Sequence, residues 1–402
     1  MLSEKSRPVI AQTLGVVAER IPHITPEFYR SMFEARPDLL DGMFSRANQK
    51  NGTQPQALAG SIAMFASHLL NHPDSYPDEV LSRVAHKHAS LGLKPEEYPT
   101  VHEHLFKAIA ADLGDAATPE VVAAWDEVYW LMADALIKLE KGLYASQAND
   151  VMFAPYRVVS KDEVADGVLA FDLEPADGTP MTPAVAGQYV SVQVTVPDGL
   201  RQPRQFTLVP SEPGHRRVVV REDPQGEVTP VLHRDVAVGD VLEVSNPYGD
   251  VVLDPDSRAP LVLVSAGIGV TPVLAFLEQL VREDPEREVL VLHADRSEAA
   301  WPCREQVREY VSQLPNARLV SWLGTPGEGD HEGRMDVTQV EIPTGAEVFM
   351  CGPLPFMQSV RSQVIDSGVP GRAVHYEIFG LSLIHISEPT RRTERSRMPS
   401  SA

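Results

Sequence analysis

The chain has 402 residues, of which 43% are hydrophobic and 23% are charged, and its formal net charge is −21. This length exceeds the size at which single cores stop growing, so two or three domains are expected. The acidic balance argues against a nucleic-acid-binding protein and against docking on anionic lipid, because both need cationic surface. The two cysteines cannot form a disulfide scaffold, and the chain starts without a signal-peptide pattern, which together favour a cytoplasmic protein.

Residues 1–150 are predicted to form an all-α domain. Thr25 followed by Pro26 indicates the start of a helix. Residues 56–70 and 120–144 repeat apolar side chains at helical spacing. The predicted apolar faces consist of Leu58, Ile62, Phe65 and Leu69 in the first segment, and of Trp125, Val128, Leu131, Met132, Ala135 and Leu139 in the second.

In residues 151–256 the spacing of apolar residues changes to a period of two. The alternation is clean over residues 189–196 and continues at 217–221 and 241–244, with Pro and Gly turns between. About six short strands in this length predict a small antiparallel barrel.

Residues 257–380 carry continuous apolar runs at 261–264, 289–292, 318–320 and 347–350, several of them separated by helical stretches. This pattern predicts an α/β domain with a parallel sheet covered on both faces. The uncharged stretch 259–277 is long enough to span a membrane. However, two glycines and a proline interrupt it, which favours a strand, a turn and a packed helix.

Two loops of the α/β domain are candidate nucleotide-binding elements. The stretch 265–272 follows a strand and opens a helix, where glycines let the backbone approach a diphosphate. A tight turn with no ligand would also explain it. The second loop follows the strand that ends at Met350, at the same edge of the sheet, and its cysteine could be an ordinary buried thiol. The candidate residues are Gly267, Gly269, Thr271 and Pro272 in the first loop, and Cys351, Gly352 and Pro353 in the second.

The barrel carries a third candidate site. Arg204, predicted at the start of a strand, has the fork geometry that clamps a phosphate. Around it lie Tyr189, Gln205, Phe206 and Thr207, and a glycine turn with Gly226, Val228 and Thr229. Together with the two loops, these motifs resemble the flavin-binding barrel of the ferredoxin-NADP reductase superfamily. The resemblance implies bound FAD, although Phe206 stands where that family has tyrosine and Thr207 where it has serine.

The helical domain holds seven histidines, and the pattern alone does not select a ligand among them. His86 and His88 are two residues apart and point to different helix faces, so at most one of them can bind a metal from one side.

Further motifs of this domain match a bacterial globin in order and spacing. They are Phe28-Tyr29, Phe44, residues 48–52, Gln54, Leu58, residues 87–90, residues 94–98 and Glu140. With the reductase motifs, the chain over residues 1 to about 380 is similar to the flavohemoglobins, the nitric oxide dioxygenase family.

This resemblance implies a role for particular residues of the globin part. His88 is the expected haem iron ligand, and Tyr98 and Glu140 are expected to orient its other ring nitrogen. Tyr29 and Gln54 are expected to donate hydrogen bonds to oxygen on the distal side. Other expected pocket or flavin-side residues are Phe44, Leu58, Lys87, Glu377 and Phe379.

The implied activity is oxidation of nitric oxide by O2 to nitrate, with electrons passing from NADH or NADPH through FAD to haem b. Only these small molecules are expected as partners, with no nucleic acid, no membrane span and no obligate protein partner. Asp295 would repel a 2′-phosphate and Arg296 would attract one, so the nicotinamide preference stays open. The alternatives are a haem-based oxygen or redox sensor, and a reductase serving another acceptor.

Residues 381–402 do not follow the family pattern. The run LSLIHISEPTR looks like the translation of a sequencing-library adapter. We expect this tail to be an assembly artefact, the alternative being a natural disordered tail.

Overall fold

The computed structural model describes residues 1–44 and 53–379, and for residues 53–57 and 59 it describes the backbone only. Within this part of the chain a helical domain, a closed β-barrel and an α/β domain follow one another. The predicted fold class and its order are therefore confirmed. The tail 381–402 lies outside the described residues, so its interpretation stays a prediction, as do the domain boundaries.

In the part of the helical domain that the structure describes, five long helices surround one apolar core. They are α1 (Ser6–Ala35), α2 (Thr53–Asn71), α3 (Asp78–Ser90), α4 (Glu97–Leu113) and α5 (Pro119–Ala145). The first, second and fifth helices bury large side chains such as Phe28, Phe65 and Trp125 in this core. The start of α5 follows the expected chemistry, because the Thr118 hydroxyl accepts a hydrogen bond from the Val121 amide and Pro119 comes next.

The predicted helix start at Thr25 and Pro26 is wrong. Helix α1 runs through both positions, and the Thr25 hydroxyl donates to the Ile21 carbonyl oxygen at 2.8 Å instead of capping a new helix. A proline inside a helix costs about 3 kcal/mol. The apolar face that continues through Ile24 and Phe28, both almost fully buried, offsets this cost by about 1.5–3 kcal/mol for each side chain.

The predicted inner face of α5 is wrong at its end. Leu139 is 41% exposed, whereas Leu136 and Glu140 are buried. A helix of 3.6 residues per turn that buries Met132 places positions 136 and 140 on the same face. The sequence pattern missed this because Glu140 is charged.

The barrel is closed and has six antiparallel strands in the order β1-β2-β5-β4-β3-β6. The strands are β1 (Phe153–Ala165), β2 (Val168–Pro175), β3 (Tyr189–Thr195), β4 (Arg201–Val209), β5 (Arg216–Arg221) and β6 (Val241–Ser245). A short helix, α6 (Thr229–Arg234), lies between the last two strands. Arg204 lies in the middle of β4 and not at its start as expected, because the strand begins three residues earlier.

The α/β domain has a six-stranded parallel sheet in the order β10-β9-β8-β7-β11-β12. Its strands are β7 (Leu261–Ala266), β8 (Val289–Asp295), β9 (Ala317–Leu323), β10 (His331–Glu332), β11 (Glu347–Cys351) and β12 (Val374–Glu377). Helices α7 (Val270–Glu283), α8 (Arg304–Gln313) and α9 (Leu354–Asp366) connect them. The strand order reverses next to β7, which opens a crevice at the carboxyl ends of β7 and β11 where such sheets bind ligands.

The uncharged stretch 259–277 forms β7, a glycine turn and the start of α7. Among residues 1–44 and 53–379, no helix combines the length and the apolar character needed to cross a membrane.

Candidate functional site

The helical domain encloses an apolar cavity of about 180 Å³. Its wall includes the predicted residues Tyr29, Phe44, Leu58, Lys87, His88 and Tyr98. Four aromatic rings, Phe28, Tyr29, Phe33 and Phe44, pack against one another at one side. Gln54 falls in α2, but its side chain lies outside the described part of the structure, so its predicted role stays a prediction.

A hydrogen-bonded triad lies behind His88. The His88 Nδ1 atom is 2.8 Å from Glu140 Oε1 and 3.2 Å from the Tyr98 hydroxyl oxygen. The Tyr98 hydroxyl donates to the same carboxylate oxygen at 2.6 Å. A carboxylate only accepts hydrogen bonds, so Nδ1 carries the ring proton. The unprotonated Nε2 atom is then available to a ligand in the cavity that His88 lines.

The two partners of His88 in the triad are buried. Glu140 is 1% exposed and Tyr98 is 6% exposed. Burial, followed by the charge of Glu140 and its hydrogen bond, raises the pKa of Tyr98 far above its ordinary value, so the hydroxyl stays a donor. Glu140 Oε2 has no hydrogen-bond partner among the described residues, so Oε1 carries all the contacts that orient the imidazole ring.

Helix α3 presents a second face to the reductase domains. Arg83, His86, Lys87 and Ser90 follow the i, i+3, i+4, i+7 spacing of one helix face. The His86 Nδ1 atom accepts the Gly249 amide at 2.9 Å, and the Ser90 hydroxyl accepts from the Ser191 hydroxyl at 3.2 Å. His86 and His88 thus point in different directions, as expected from their spacing.

Arg83 reaches the meeting point of all three domains. Its guanidinium lies 5.0 Å from the ring centre of Tyr376 on β12, and its Nε atom is 3.7 Å from Asp250 Oδ1 in the segment after β6. Sequence analysis missed Arg83 and considered His86 only as an alternative metal ligand to His88, although their spacing on one face of α3 was a usable signal.

Lys87 connects the globin cavity to the barrel. Its ammonium group donates to the Gln205 side-chain oxygen on β4, and the Gln205 amide donates to the Ser191 hydroxyl at 2.7 Å. Burial lowers the pKa of Lys87 to about 8, with Glu377 opposing the shift and Arg204 adding to it. Burial likewise raises the pKa of Glu377 to about 7, opposed by Arg83.

The predicted barrel residues come together on β3 and β4. Tyr189 pairs with Thr207, and Val192 pairs with Arg204. Tyr189 lies close enough to the charges of Glu377 and Asp250 that they, after burial itself, raise the pKa of its hydroxyl. Phe206 packs at the margin of the barrel core and Thr207 is buried.

Arg204 faces the glycine turn that was predicted with it. Burial lowers the pKa of Arg204, and the charges of Glu227 and Asp223 oppose this shift. In the turn, the Gly226 amide donates to the Asp223 carbonyl oxygen at 2.9 Å. Val228 is buried, and the Thr229 hydroxyl accepts the Asp223 amide at 2.9 Å. Arg204 is therefore a partly buried cation close to the charged residues of this turn.

The two predicted nucleotide loops touch at the carboxyl edge of the sheet. Strand β11 pairs with β7, so Cys351 is opposite Ser265. A Cβ atom on Gly269 would lie 2.3 Å from the Cys351 carbonyl oxygen, so only glycine allows this approach. Gly267 has a φ of +56°, and a Cβ there would lie 2.8 Å from Arg221 Nη1. Arg221, which sequence analysis missed, therefore places a cation against the glycine loop.

The remaining residues of the two nucleotide loops pack or form hydrogen bonds at the same edge of the sheet. The Thr271 hydroxyl donates to the Ile268 carbonyl oxygen at 3.1 Å, and Pro272 is buried in α7. Gly352 has a tight fit beside the Phe356 ring, and Pro353 directly precedes α9. Burial raises the pKa of the Cys351 thiol well above its usual range, which indicates an inert thiol.

The carboxyl end of β12 lies near both the globin cavity and the barrel. Glu377 pairs with Cys351 in the sheet and contributes to the electrostatics of Lys87, Arg83 and Tyr189. Phe379, two residues further on, is 44% exposed.

Asp295, one of the two residues considered for nicotinamide preference, turns inward. Its side chain is 3% exposed, and its carboxylate lies 3.5 Å from the Arg221 Nη2 atom. Arg296 is exposed at the surface.

Comparison with known families follows the same division of the chain. The globin family matches residues 26–136, the oxidoreductase FAD-binding domain matches residues 155–253, and the oxidoreductase NAD-binding domain matches residues 263–362. Fold and matches together define a globin joined to a two-domain flavin-dependent and nicotinamide-dependent type of oxidoreductase.

Full-length relatives make the assignment specific. A flavohemoprotein of Bordetella pertussis is 37% identical over 400 residues, covering 94% of this chain and 99% of the relative. One from Chromobacterium violaceum is 39% identical over 402 residues, covering 94% and 98%. The chain belongs to the flavohemoprotein family.

Solved structures agree with this assignment. A flavohemoglobin from Malassezia yamatoensis, crystallised with bound FAD and haem, is 53% identical, has a TM-score of 0.91, and is matched over 94% of this chain and 100% of its own. The FAD/NAD-binding domain of a nitric oxide dioxygenase from Vibrio cholerae is 29% identical with a TM-score of 0.53, covering 57% of this chain and 100% of that domain.

Proposed function

We propose that this protein is a nitric oxide dioxygenase that uses NADH or NADPH, FAD and haem b. When bound, FAD would supply hydride and electron transfer between the nicotinamide and the haem, and a haem held by His88 would supply the centre for the combination of O2 and nitric oxide to nitrate. The observation that carries this proposal is helix α3, which places His88 in the apolar cavity and Lys87 against the flavin-type barrel.

The cavity fits a haem. Its lining is mostly apolar, as a porphyrin requires, and His88 leaves Nε2 available on that side. The carboxylate of Glu140 holds the Nδ1 proton, which increases the electron donation of Nε2 to a metal. Tyr98 fixes the position of that carboxylate, while Phe44 and Leu58 keep water away from the reaction site.

The distal side requires hydrogen-bond donors directed at a polar diatomic ligand. Tyr29 lines the cavity. We assign Tyr29 and Gln54 this donor role.

The barrel and α/β domain fit FAD and a nicotinamide nucleotide. We assign FAD binding to the residues of β3 and β4 and to the nearby turn and chain end, namely Tyr189, Arg204, Gln205, Phe206, Thr207, Gly226, Val228, Thr229, Glu377 and Phe379. The exposed ring of Phe379 offers an aromatic surface for a flavin to cover. We assign the nicotinamide nucleotide to the touching loops of Gly267, Gly269, Thr271, Pro272, Cys351, Gly352 and Pro353, where backbone approach is closest.

The two free cysteines are both buried, which suits a reducing compartment, and we propose the cytoplasm.

A stopped-flow experiment tests the activity. The protein is loaded with haem and FAD, reduced with NADH, exposed to O2 and mixed with nitric oxide, while haem absorbance and nitrate are followed. We expect one nitrate per nitric oxide and continued NADH oxidation. A stable nitrosyl spectrum would indicate the sensor alternative. NADH oxidation that depends on an added acceptor and yields no nitrate would indicate the reductase alternative.

A further inference from the structure

An aromatic cluster lies between α4 and α5, on the side of the globin domain that bears Tyr98. We define this Trp130 cluster as His102, Phe106, Tyr129 and Trp130. The Tyr129 and Trp130 ring centres are 5.3 Å apart, His102 is 5.3 Å from Trp130 and 5.0 Å from Tyr129, and Phe106 stacks on His102 at 4.3 Å. The four rings therefore form one cluster of through-space contacts.

The inner end of the cluster reaches the His88 triad. The Tyr129 hydroxyl donates to the Tyr98 backbone oxygen at 2.7 Å, and both tyrosines are 6% exposed. The Tyr98 ring centre lies 6.2 Å from that of His88. Tyr98 and Tyr129 both line the cavity, and the ring of Tyr129 is in contact with that of Trp130.

The outer end of the cluster approaches solvent and carries negative charge. Trp130 is partly exposed, unlike Tyr98 and Tyr129. The Asp126 carboxylate is 2.7 Å from the His102 Nε2 atom, and the side chains of Asp126 and His102 are 45% and 25% exposed. A carboxylate at this distance stabilises positive charge that develops on the neighbouring rings.

We propose that these residues have a second function, the removal of oxidising equivalents from the haem pocket. Tyr98 and Tyr129 relay an electron from Trp130 to a haem that a peroxide has oxidised, and the radical settles on Trp130 near the surface. The inference rests on haem binding at His88 but not on the nitric oxide reaction.

The electrons balance with hydrogen peroxide as the oxidant. Peroxide takes up two electrons and two protons to give two water molecules, with one electron from the haem group and one from Trp130. The indole ring keeps its N–H proton and becomes a radical cation, and no covalent bond of the protein breaks. NADH, through the reductase domains, later supplies two electrons, one that restores the indole and one that restores the haem group.

The test uses the full-length protein with haem and FAD, in the ferric state and without NADH. It is mixed with hydrogen peroxide, freeze-quenched for electron paramagnetic resonance, and digested for mass spectrometry. We expect a tryptophanyl signal and, because no NADH is present to restore the indole, hydroxylation of part of Trp130. In that step the radical cation takes up a water oxygen, releases two protons and passes one further electron to the oxidised haem. Trp130→Phe should lose the signal and the hydroxylation and bleach its haem faster, whereas Trp130→Tyr should replace the signal with a tyrosyl one.

Trp125→Phe is the matched control. Trp125 lies on the same helix and is 3% exposed, and its indole nitrogen donates to the Thr13 hydroxyl at 3.0 Å. This variant should keep the tryptophanyl signal. Far-ultraviolet circular dichroism and the Soret band establish that each variant folds and holds haem.

A radical that stays on Tyr98 or Tyr129, unchanged in Trp130→Phe, would overturn the proposal, and so would loss of the signal in Trp125→Phe alone. Failure of the proposed function is distinguishable, because it appears as absent nitrate formation in the wild-type protein, whatever peroxide does.

Discussion

The surroundings of His88 and those of Arg204 differ in how many hydrogen bonds from other side chains fix the functional group. His88 is held by hydrogen bonds from Nδ1 to Glu140 and Tyr98, all made by protein groups. Arg204 is partly buried and directs one N–H to the adjacent Pro203 carbonyl oxygen at 2.7 Å, and the charges of Glu227 and Asp223 act on its guanidinium. In the first site the functional group is held by the protein's own side chains, whereas in the second we propose that a phosphate of FAD becomes a partner of the arginine.

The largest expected effect follows from removing the candidate iron ligand. His88→Ala should abolish haem retention while FAD binding is unchanged, because no second imidazole lines that cavity among the residues that the structure describes. Absorbance of the purified variant would show flavin bands without a Soret band. His102→Ala, on a neighbouring helix, serves as the control and should keep the haem. A normal haem spectrum in His88→Ala would contradict the ligand assignment.

The second largest effect concerns Arg204 in the barrel. Arg204→Met should weaken FAD binding by about 10–100-fold, since a charge-assisted hydrogen bond contributes about 1.5–3 kcal/mol. Haem content should not change. Flavin fluorescence during titration measures the affinity, and Arg201→Met, on the same strand but paired with Asp41, is the control. Equal flavin affinity in both variants would argue against a phosphate at Arg204.

The third effect tests the link between the two sites. Arg83→Met should slow electron passage from flavin to haem by about tenfold or more, because small displacements of reacting groups are costly. Flavin reduction by NADH and reduction of ferricyanide should stay the same. Anaerobic stopped-flow at flavin and haem wavelengths separates the steps, and Arg83→Lys should recover part of the rate. If the haem is reduced at the wild-type rate, Arg83 has no positioning role.

The smallest effect is a pH dependence of stability carried by Glu377. Its folded pKa, about 7, lies above the ordinary value of 4.5, so the protonated form is favoured by folding. Its contribution is therefore present below pH 4.5 and is lost as the pH rises through about 7. In flavin-free protein, the Tm of wild type relative to Glu377→Gln should fall by about 2–5 °C between pH 5 and pH 8. A constant difference would show that Glu377 does not carry the shift.

Periodicity alone was enough for most of the fold. The apolar runs that were interpreted as buried strands became β7, β8, β9 and β11, because strands covered on both faces have no polar positions to obscure them. Helix α1 was not predictable in this way, since local proline signals were outweighed by a face buried against distant helices. Leu139 was misplaced for a related reason, because the true face of α5 ends on a buried carboxylate.

The candidate site was predictable where the residue type itself indicates ligand binding, as glycines do in a turn between a strand and a helix. The sequence by itself determined three kinds of domain, their order and the sets of residues with ligand-binding chemistry. Only the tertiary structure decided which of these residues meet: Glu140 behind His88, Lys87 against Gln205, and Arg83 between Asp250 and Tyr376. The physical reason is that periodicity reports which face of an element is buried, whereas the partner across that face depends on packing between segments far apart in the chain.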